Sequence, residues 1–166
     1  PILNHRVLRR LMPVVLPFLE QPWGGYAGAL FCNAPGGGLF GDVDCDGTSE
    51  INFVVNNPSW YSFCVSANGT WQVSYSINSC LFSGVNAGGQ IAILLDADGT
   101  GPSTNLTLIQ ESSASCGATG NAQVPPGCTW TSSSFSVSAG QCVYLMVDGF
   151  GGDACNYSLT LTNVAG

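Results

Sequence analysis

Three aspartates alternate along the segment GDVDCDGTSE, at Asp42, Asp44 and Asp46, and a glycine follows them. Alternating carboxylates on a tight loop converge on one hard cation, so this spacing matches the opening of a DxDxDG calcium loop. The twelfth position of such a loop is Phe53 where a bidentate acid is needed, and Glu50 would have to complete the site. Two alternatives stay open, namely a structural calcium site or an aspartate-rich turn without metal.

Nucleophilic catalysis has no evident general base in this sequence. A serine, threonine or cysteine nucleophile needs a base within hydrogen-bond reach, but the only histidine is His5 and lysine is absent. The acids of the motifs DADG (Asp96, Asp98) and DGFGGD (Asp148, Asp153) are expected to stabilise tight turns. We therefore predict a non-catalytic protein that requires no cofactor.

Eight cysteines in 166 residues predict a disulfide framework and an oxidising, extracellular environment. A zinc site is disfavoured because no Cys-x-x-Cys pair occurs. Cys32–Cys45 and Cys116–Cys128 each bracket a segment rich in glycine and proline, so we expect them to be local disulfides. The other pairings are not determined by the spacing. The disulfide candidates are Cys32, Cys45, Cys64, Cys80, Cys116, Cys128, Cys142 and Cys155.

The elements that must position these residues are short strands. From residue 60 onward, apolar and polar residues alternate and turn residues interrupt them at short intervals. WYSFCVS and TWQVSYSI are predicted to form a hairpin around ANG, and QCVYLMVDG and ACNYSLTLTNV a second one around GFGGD. We predict an all-β, disulfide-stabilised antiparallel β-sandwich or jelly roll at residues 30–166, with an extended or partly helical tail at residues 1–29.

Three stretches of the body, NNPSWYSF, GGQIAILLD and GQCVYLMVDGFGGDACNY, carry a resemblance to a known family. They resemble the pre-peptidase C-terminal-like β-sandwich domains of secreted Bacteroidetes-type surface proteins, over about residues 52–164. The resemblance implies a jelly-roll-like sandwich, export from the cell and a non-catalytic role in adhesion, assembly or carbohydrate contact. The chain departs from the family in its extra cysteines, such as Cys64 and Cys142.

Charge is divided unequally between the tail and the body. Residues 1–20 carry three arginines and one glutamate, a net charge of +2, whereas residues 21–166 carry nine acids and no base. Nucleic acid is a poor partner for such a body because phosphate contacts need lysine and arginine. In the tail, Pro13 and Pro17 end any helix and favour an extended apolar ribbon. The candidate assembly residues are Arg6, Arg9, Arg10, Val14, Val15, Leu16 and Phe18.

Three interpretations of the tail are open. Two prolines and Glu20 disfavour a secretion leader. The apolar run is too short for a membrane span, so an interfacial amphipathic helix is the remaining membrane alternative. An apolar ribbon can instead add a strand to a sheet edge, of its own domain or of a neighbour. We therefore expect a secreted, self-assembling surface filament subunit whose tail docks head-to-tail on the next copy.

The alternative function is a secreted carbohydrate-binding or adhesive module. Trp23 and Trp130 are the tryptophans expected to be free for sugar stacking, whereas Trp60 and Trp71 are expected in the core. Three glycosylation sequons make the chain a candidate glycoprotein. Their asparagines are Asn68, Asn105 and Asn156.

Overall fold

The computed structural model describes residues 19–20, 58–84, 87–97, 106–118 and 122–164, and only the backbone of the first two. These parts of the chain form nine strands and no α-helix, with a short 3₁₀ turn at Phe150–Gly152. The predicted all-β, antiparallel architecture is confirmed. The strands are β1 (Leu19–Glu20), β2 (Ser59–Cys64), β3 (Gly69–Cys80), β4 (Gly89–Asp96), β5 (Leu106–Glu111), β6 (Thr129–Thr131), β7 (Phe135–Val137), β8 (Cys142–Gly149) and β9 (Cys155–Asn163).

The strands form two antiparallel sheets. The five-stranded sheet has the order β1-β2-β8-β4-β5, and the four-stranded sheet has β3 at its centre. Strand β9 pairs with one edge of β3 over its whole length, while β6 and β7 pair with the other edge. The sheets face each other across one core, so the domain is a β-sandwich.

Apolar patterning explains which strands are central. In β3 the buried residues alternate as Trp71, Val73, Tyr75 and Ile77, because only one face of the strand meets the core. In β8 all residues from 142 to 148 are buried, because apolar clusters lie on both faces of the five-stranded sheet. A strand buried on both faces needs a nearly continuous apolar run, which its sequence CVYLMVDG supplies.

Both predicted hairpins are wrong. Strand β2 pairs with β8 and strand β3 with β9, so the connections β2–β3 and β8–β9 each cross from one sheet to the other. The physical reason is that the apolar faces of the two sheets bury each other when successive strands lie in opposite sheets. Phe63 of β2 packs against Trp71 of β3 across the core, with ring centroids 5.7 Å apart, instead of lying beside it in one sheet.

Three disulfides brace the described part of the chain, and none of its cysteines is free. Cys116–Cys128 is a local disulfide, as predicted. Two others join neighbouring strands, β2 to β8 through Cys64–Cys142 and β3 to β9 through Cys80–Cys155. The predicted pair Cys32–Cys45 lies outside the described residues, as does the proposed domain boundary at residue 29. Three disulfides indicate a non-reducing environment.

The strand directions define two ends of the sandwich, which we call the tip end and the tail end. Strands β3 and β8 end at the tip end, and β4 and β9 begin there, with the connections 81–88 and 150–154. Strands β2, β4 and β9 end at the tail end, and β3 and β8 begin there, with the connections 65–68 and 138–141. The long strand β3 has 12 residues, so the ends lie roughly 36 Å apart at about 3.3 Å per residue.

Candidate functional site

The tip end is organised around the carboxylate of Asp153, which is only 1% exposed. Its Oδ1 accepts hydrogen bonds from the backbone N–H groups of Phe82, at 2.9 Å, and Ala154, at 2.8 Å. Its Oδ2 accepts a third from the N–H of Gly88, at 3.1 Å. One side chain therefore ties the connection 81–88 to the start of β9.

Glycines in the motif DGFGGD make this close approach feasible. Gly151 has φ +61°, a left-handed conformation that glycine adopts without strain. A Cβ at Gly149 would collide with the backbone carbonyl of Asp153. The turn role predicted for Asp153 is thus what the structure has. Asp96 is buried at the last position of β4, and Asp148 is buried next to the last position of β8.

A small cavity of about 50 Å³ lies beside Asp153 and is lined by Tyr75 of β3, the end of β8 and the start of β9. Tyr75 lines it, is 0% exposed, and its hydroxyl has no hydrogen-bond partner among the described residues. Tyr157 also lines the cavity, packs edge-on against Tyr75 and shares a hydrogen bond with the hydroxyl of Tyr61. Burial raises the pKa of Tyr75 well above its ordinary value, and the nearby Tyr157, Asp148 and Tyr61 raise this pKa further.

The raised pKa of Tyr75 predicts a loss of stability at high pH. An unfolded tyrosine ionises near pH 10, while the buried phenol stays protonated, so the unfolded state releases a proton that the folded state keeps. Stability contributed by this group is complete below pH 10 and falls above it by about 1.4 kcal/mol per pH unit. Urea unfolding between pH 8 and 11 should show a shallower decline in Tyr75→Phe than in wild type. Equal slopes would contradict this account.

One set of side chains at the tip end has the composition of a metal site. Cys80, Asp153 and Cys155 place their ligand atoms within 4.8 Å of one another. The two sulfurs are bonded to each other as a disulfide, so neither is a thiolate that could bind a metal. Asp153 already accepts three backbone hydrogen bonds. This cluster is therefore a structural brace.

The tip itself is apolar and exposed. Leu81 is 67% exposed and Phe82 is 48% exposed, and with Ser83 and Gly151 they line a shallow open groove. The backbone N–H of Leu81 donates to the carbonyl of Ala154 at 3.0 Å. We call Leu81, Phe82, Ser83 and Gly151 the tip. Its apolar side chains face solvent while their backbone is held in place.

The residues predicted for calcium binding and for assembly lie outside the described residues, as do Trp23, Asp98 and Asn105. Two predicted glycosylation residues are exposed at opposite ends. Asn68, in the β2–β3 connection, accepts a hydrogen bond from the N–H of Ala139 at 2.9 Å. Asn156, in β9, donates to the hydroxyl of Ser79 at 3.0 Å. Both side chains lie at the surface.

The tryptophans are less available for sugar stacking than the sequence suggests. Trp60 and Trp71 are buried, as expected, but Trp130 is also buried at 6% exposure, so the prediction for Trp130 is wrong. Strand β6 is only three residues long, yet its alternation turns this central tryptophan into the core. None of these three rings offers a face to a saccharide in solution.

No protein-family model and no curated protein matches this chain.

The tip was not predicted from the sequence because Leu81 and Phe82 are residue types that are common in protein cores. The spacing of aspartate and glycine in DGFGGD was the one signal that pointed to this end of the molecule. No helix within the described ranges is long and apolar enough to cross a membrane.

Proposed function

We propose that this chain is a non-catalytic extracellular structural protein, a surface filament subunit whose N-terminal tail docks on a neighbouring copy. The observation that carries the proposal is strand β1. Leu19 and Glu20 pair antiparallel with Ser62 and Tyr61 on the edge of β2. Part of the tail thus pairs with a sheet edge of this fold, and this supports a role of the tail in association.

Charge supports the same proposal. Residues 1–20 have a net charge of +2, and the body carries nine acids without a single lysine or arginine. Attraction between the tail of one copy and the body of the next favours head-to-tail contact, while two acidic bodies alone repel each other. A heterologous contact of this kind repeats without closing and produces a filament. Disulfide-braced sheets suit a subunit that must persist outside the cell.

Deletion of residues 1–18, which leaves Leu19 and Glu20 in place, should abolish assembly without unfolding the body. Size exclusion and electron microscopy would report the assembly, and thermal unfolding would report the fold. A matched variant, with Arg6, Arg9 and Arg10 replaced by glutamine, should assemble more weakly and with less dependence on salt. Filaments of normal length from the deletion variant would refute the proposal.

One observation favours the alternative, a carbohydrate-binding or adhesive module. The outer face of the four-stranded sheet carries rows of hydroxyls, in which Ser74 contacts Thr131 at 3.1 Å and Ser76 contacts Thr129 at 2.7 Å. This uncharged surface of hydrogen-bond donors and acceptors could contact glycans without aromatic stacking. A glycan array with the tail-deleted monomer would test it. Saturable binding that weakens in Ser74→Ala/Ser76→Ala would favour the module.

A further inference from the structure

We propose that the tip is the docking site for the apolar ribbon, residues 13–18, of the next copy's tail. The inference rests on the proposed function and names the surface at which its contact occurs. The partner is a second copy of this chain, and the segment that would bind is apolar, contains two prolines and includes Val14, Leu16 and Phe18.

The tip has the properties of a built contact surface. Among the described residues, the large hydrophobic side chains that are exposed are Leu81, Phe82 and Val164, and the first two are adjacent. Exposed single hydrophobic residues are ordinary, but an adjacent pair beside a groove is more typical of an interaction site. The disulfide Cys80–Cys155 and the hydrogen bonds to Asp153 and Ala154 hold the backbone of the pair. Such preorganisation lowers the entropy lost on binding.

The direction of β1 bears on where a tail that continues it would lead. Strand β1 runs from the position opposite Ser62 to the position opposite Tyr61, so it points toward the tip end. Strand β1 therefore begins on its tail-end side. A ribbon that continued the line of β1 backwards would lead away from its own tip. Copies stacked in one orientation bring the tail end of one molecule to the tip end of the next.

Length permits the contact. Tyr61 and Ser62 lie near the middle of β2, and only a few residues separate them from the tail end. The six residues of the ribbon, 13–18, can span up to about 20 Å when extended, which exceeds the length of the two β2 residues that follow Ser62. The apolar ribbon can thus extend past the tail end and reach a neighbour's tip. Pro13 and Pro17 suit it for a groove contact, because a proline-rich segment is already stiff and extended before it binds.

The chemistry of the two surfaces matches. Both are apolar, and the ribbon follows three arginines that would face the next body, where every charged residue outside the tail is acidic. The apolar contact would provide most of the affinity, and the arginines would increase the rate of encounter and fix the polarity. Of the described residues at the tip end, Leu81 and Phe82 are the adjacent large hydrophobic side chains that are exposed.

The test uses the full chain with substitutions at the tip. Leu81→Ser/Phe82→Ser should shift the concentration needed for assembly upward by at least about tenfold, because two apolar contacts are lost. The matched control Leu81→Met/Phe82→Leu keeps the apolar surface and should assemble normally. Because both residues are exposed, thermal unfolding of the two variants should be close to wild type.

Cross-linking then identifies the contact directly. Subunits with a photoreactive phenylalanine analogue at position 18 are prepared in heavy-isotope and light-isotope forms and mixed. The analogue should then cross-link to a peptide that contains Leu81 and Phe82 of another copy. If tail deletion abolishes assembly but Leu81→Ser/Phe82→Ser does not raise the assembly concentration, the docking site is overturned and the proposed function stands. If tail deletion itself has no effect, the proposed function fails first. Cross-links within one copy, or to another surface, also overturn the docking site.

Discussion

Replacing Asp153 by alanine is expected to lower the free energy of unfolding by at least about 4 kcal/mol. The carboxylate accepts three backbone hydrogen bonds, from Phe82, Gly88 and Ala154, and it is 1% exposed. Alanine would leave these three N–H groups without their acceptor, and the smaller side chain would leave a gap behind the tip. A hydrogen bond to a charged group is worth about 1.5–3 kcal/mol, and each buried orphan donor adds a desolvation cost.

Chemical denaturation of Asp153→Ala, monitored by tryptophan fluorescence under non-reducing conditions, would measure this loss. The matched variant Asp153→Asn keeps the shape and one acceptor oxygen, which can serve the N–H groups of Phe82 and Ala154. It should therefore lose clearly less stability than alanine. A decrease below about 1 kcal/mol for the alanine variant would mean that water replaces the carboxylate without cost, and the clamp would not be a stabilising feature.

The sandwich was predictable because it depends on a short-range pattern. Alternation in GTWQVSYSI and continuous apolarity in CVYLMVDG determine how many faces of each strand are buried, and both patterns are visible without any partner strand. The local disulfide Cys116–Cys128 was predictable for the same reason, since only 12 positions separate its cysteines. Local spacing therefore contains enough information for strand identity and for close cross-links.

Pairing between distant strands was not predictable. The hairpin prediction around ANG failed because the spacing of a short connection does not distinguish a turn within one sheet from a crossing between two sheets. The register of β2 on β8, with Cys64 opposite Cys142, joins residues 78 positions apart. Whether the apolar faces of β2 and β3 lie side by side or face to face depends on which arrangement buries more surface, a property of the whole fold.

The candidate site was not predictable for a related reason. Leu81 and Phe82 follow a strand and resemble its buried residues in type, yet both are exposed, and Asp153 holds the backbone N–H of Phe82. That contact joins positions 71 apart in the sequence. In the opposite sense, Trp130 seemed free because its segment is rich in serine and threonine, but one pairing with Tyr75 places it in the core. Exposure of a single side chain is set by tertiary contacts.

Removing the disulfide Cys80–Cys155, by alanine at both positions, is expected to lower the free energy of unfolding by roughly 4 to 5 kcal/mol. The bond closes a loop of 75 positions, and the entropy removed from the unfolded chain grows with the logarithm of loop length. Removing Cys116–Cys128, which closes only 12 positions, should cost about 3 kcal/mol. Urea unfolding of each variant, with disulfide content confirmed by mass spectrometry, would measure both.

A comparison with Cys64–Cys142 tests whether Cys80–Cys155 does more than cross-link the chain. Cys64–Cys142 closes 78 positions and serves as the matched control, because loop entropy alone predicts the same loss as for Cys80–Cys155. Cys80–Cys155 also anchors the tip, so its removal should loosen Leu81 and Phe82 and weaken assembly, whereas removal of the control should leave assembly unchanged at temperatures where both remain folded. A larger loss of stability for Cys116–Cys128 than for Cys80–Cys155 would contradict the loop-length argument. Equal assembly by all three variants would show that assembly does not depend on the anchoring of the tip by Cys80–Cys155.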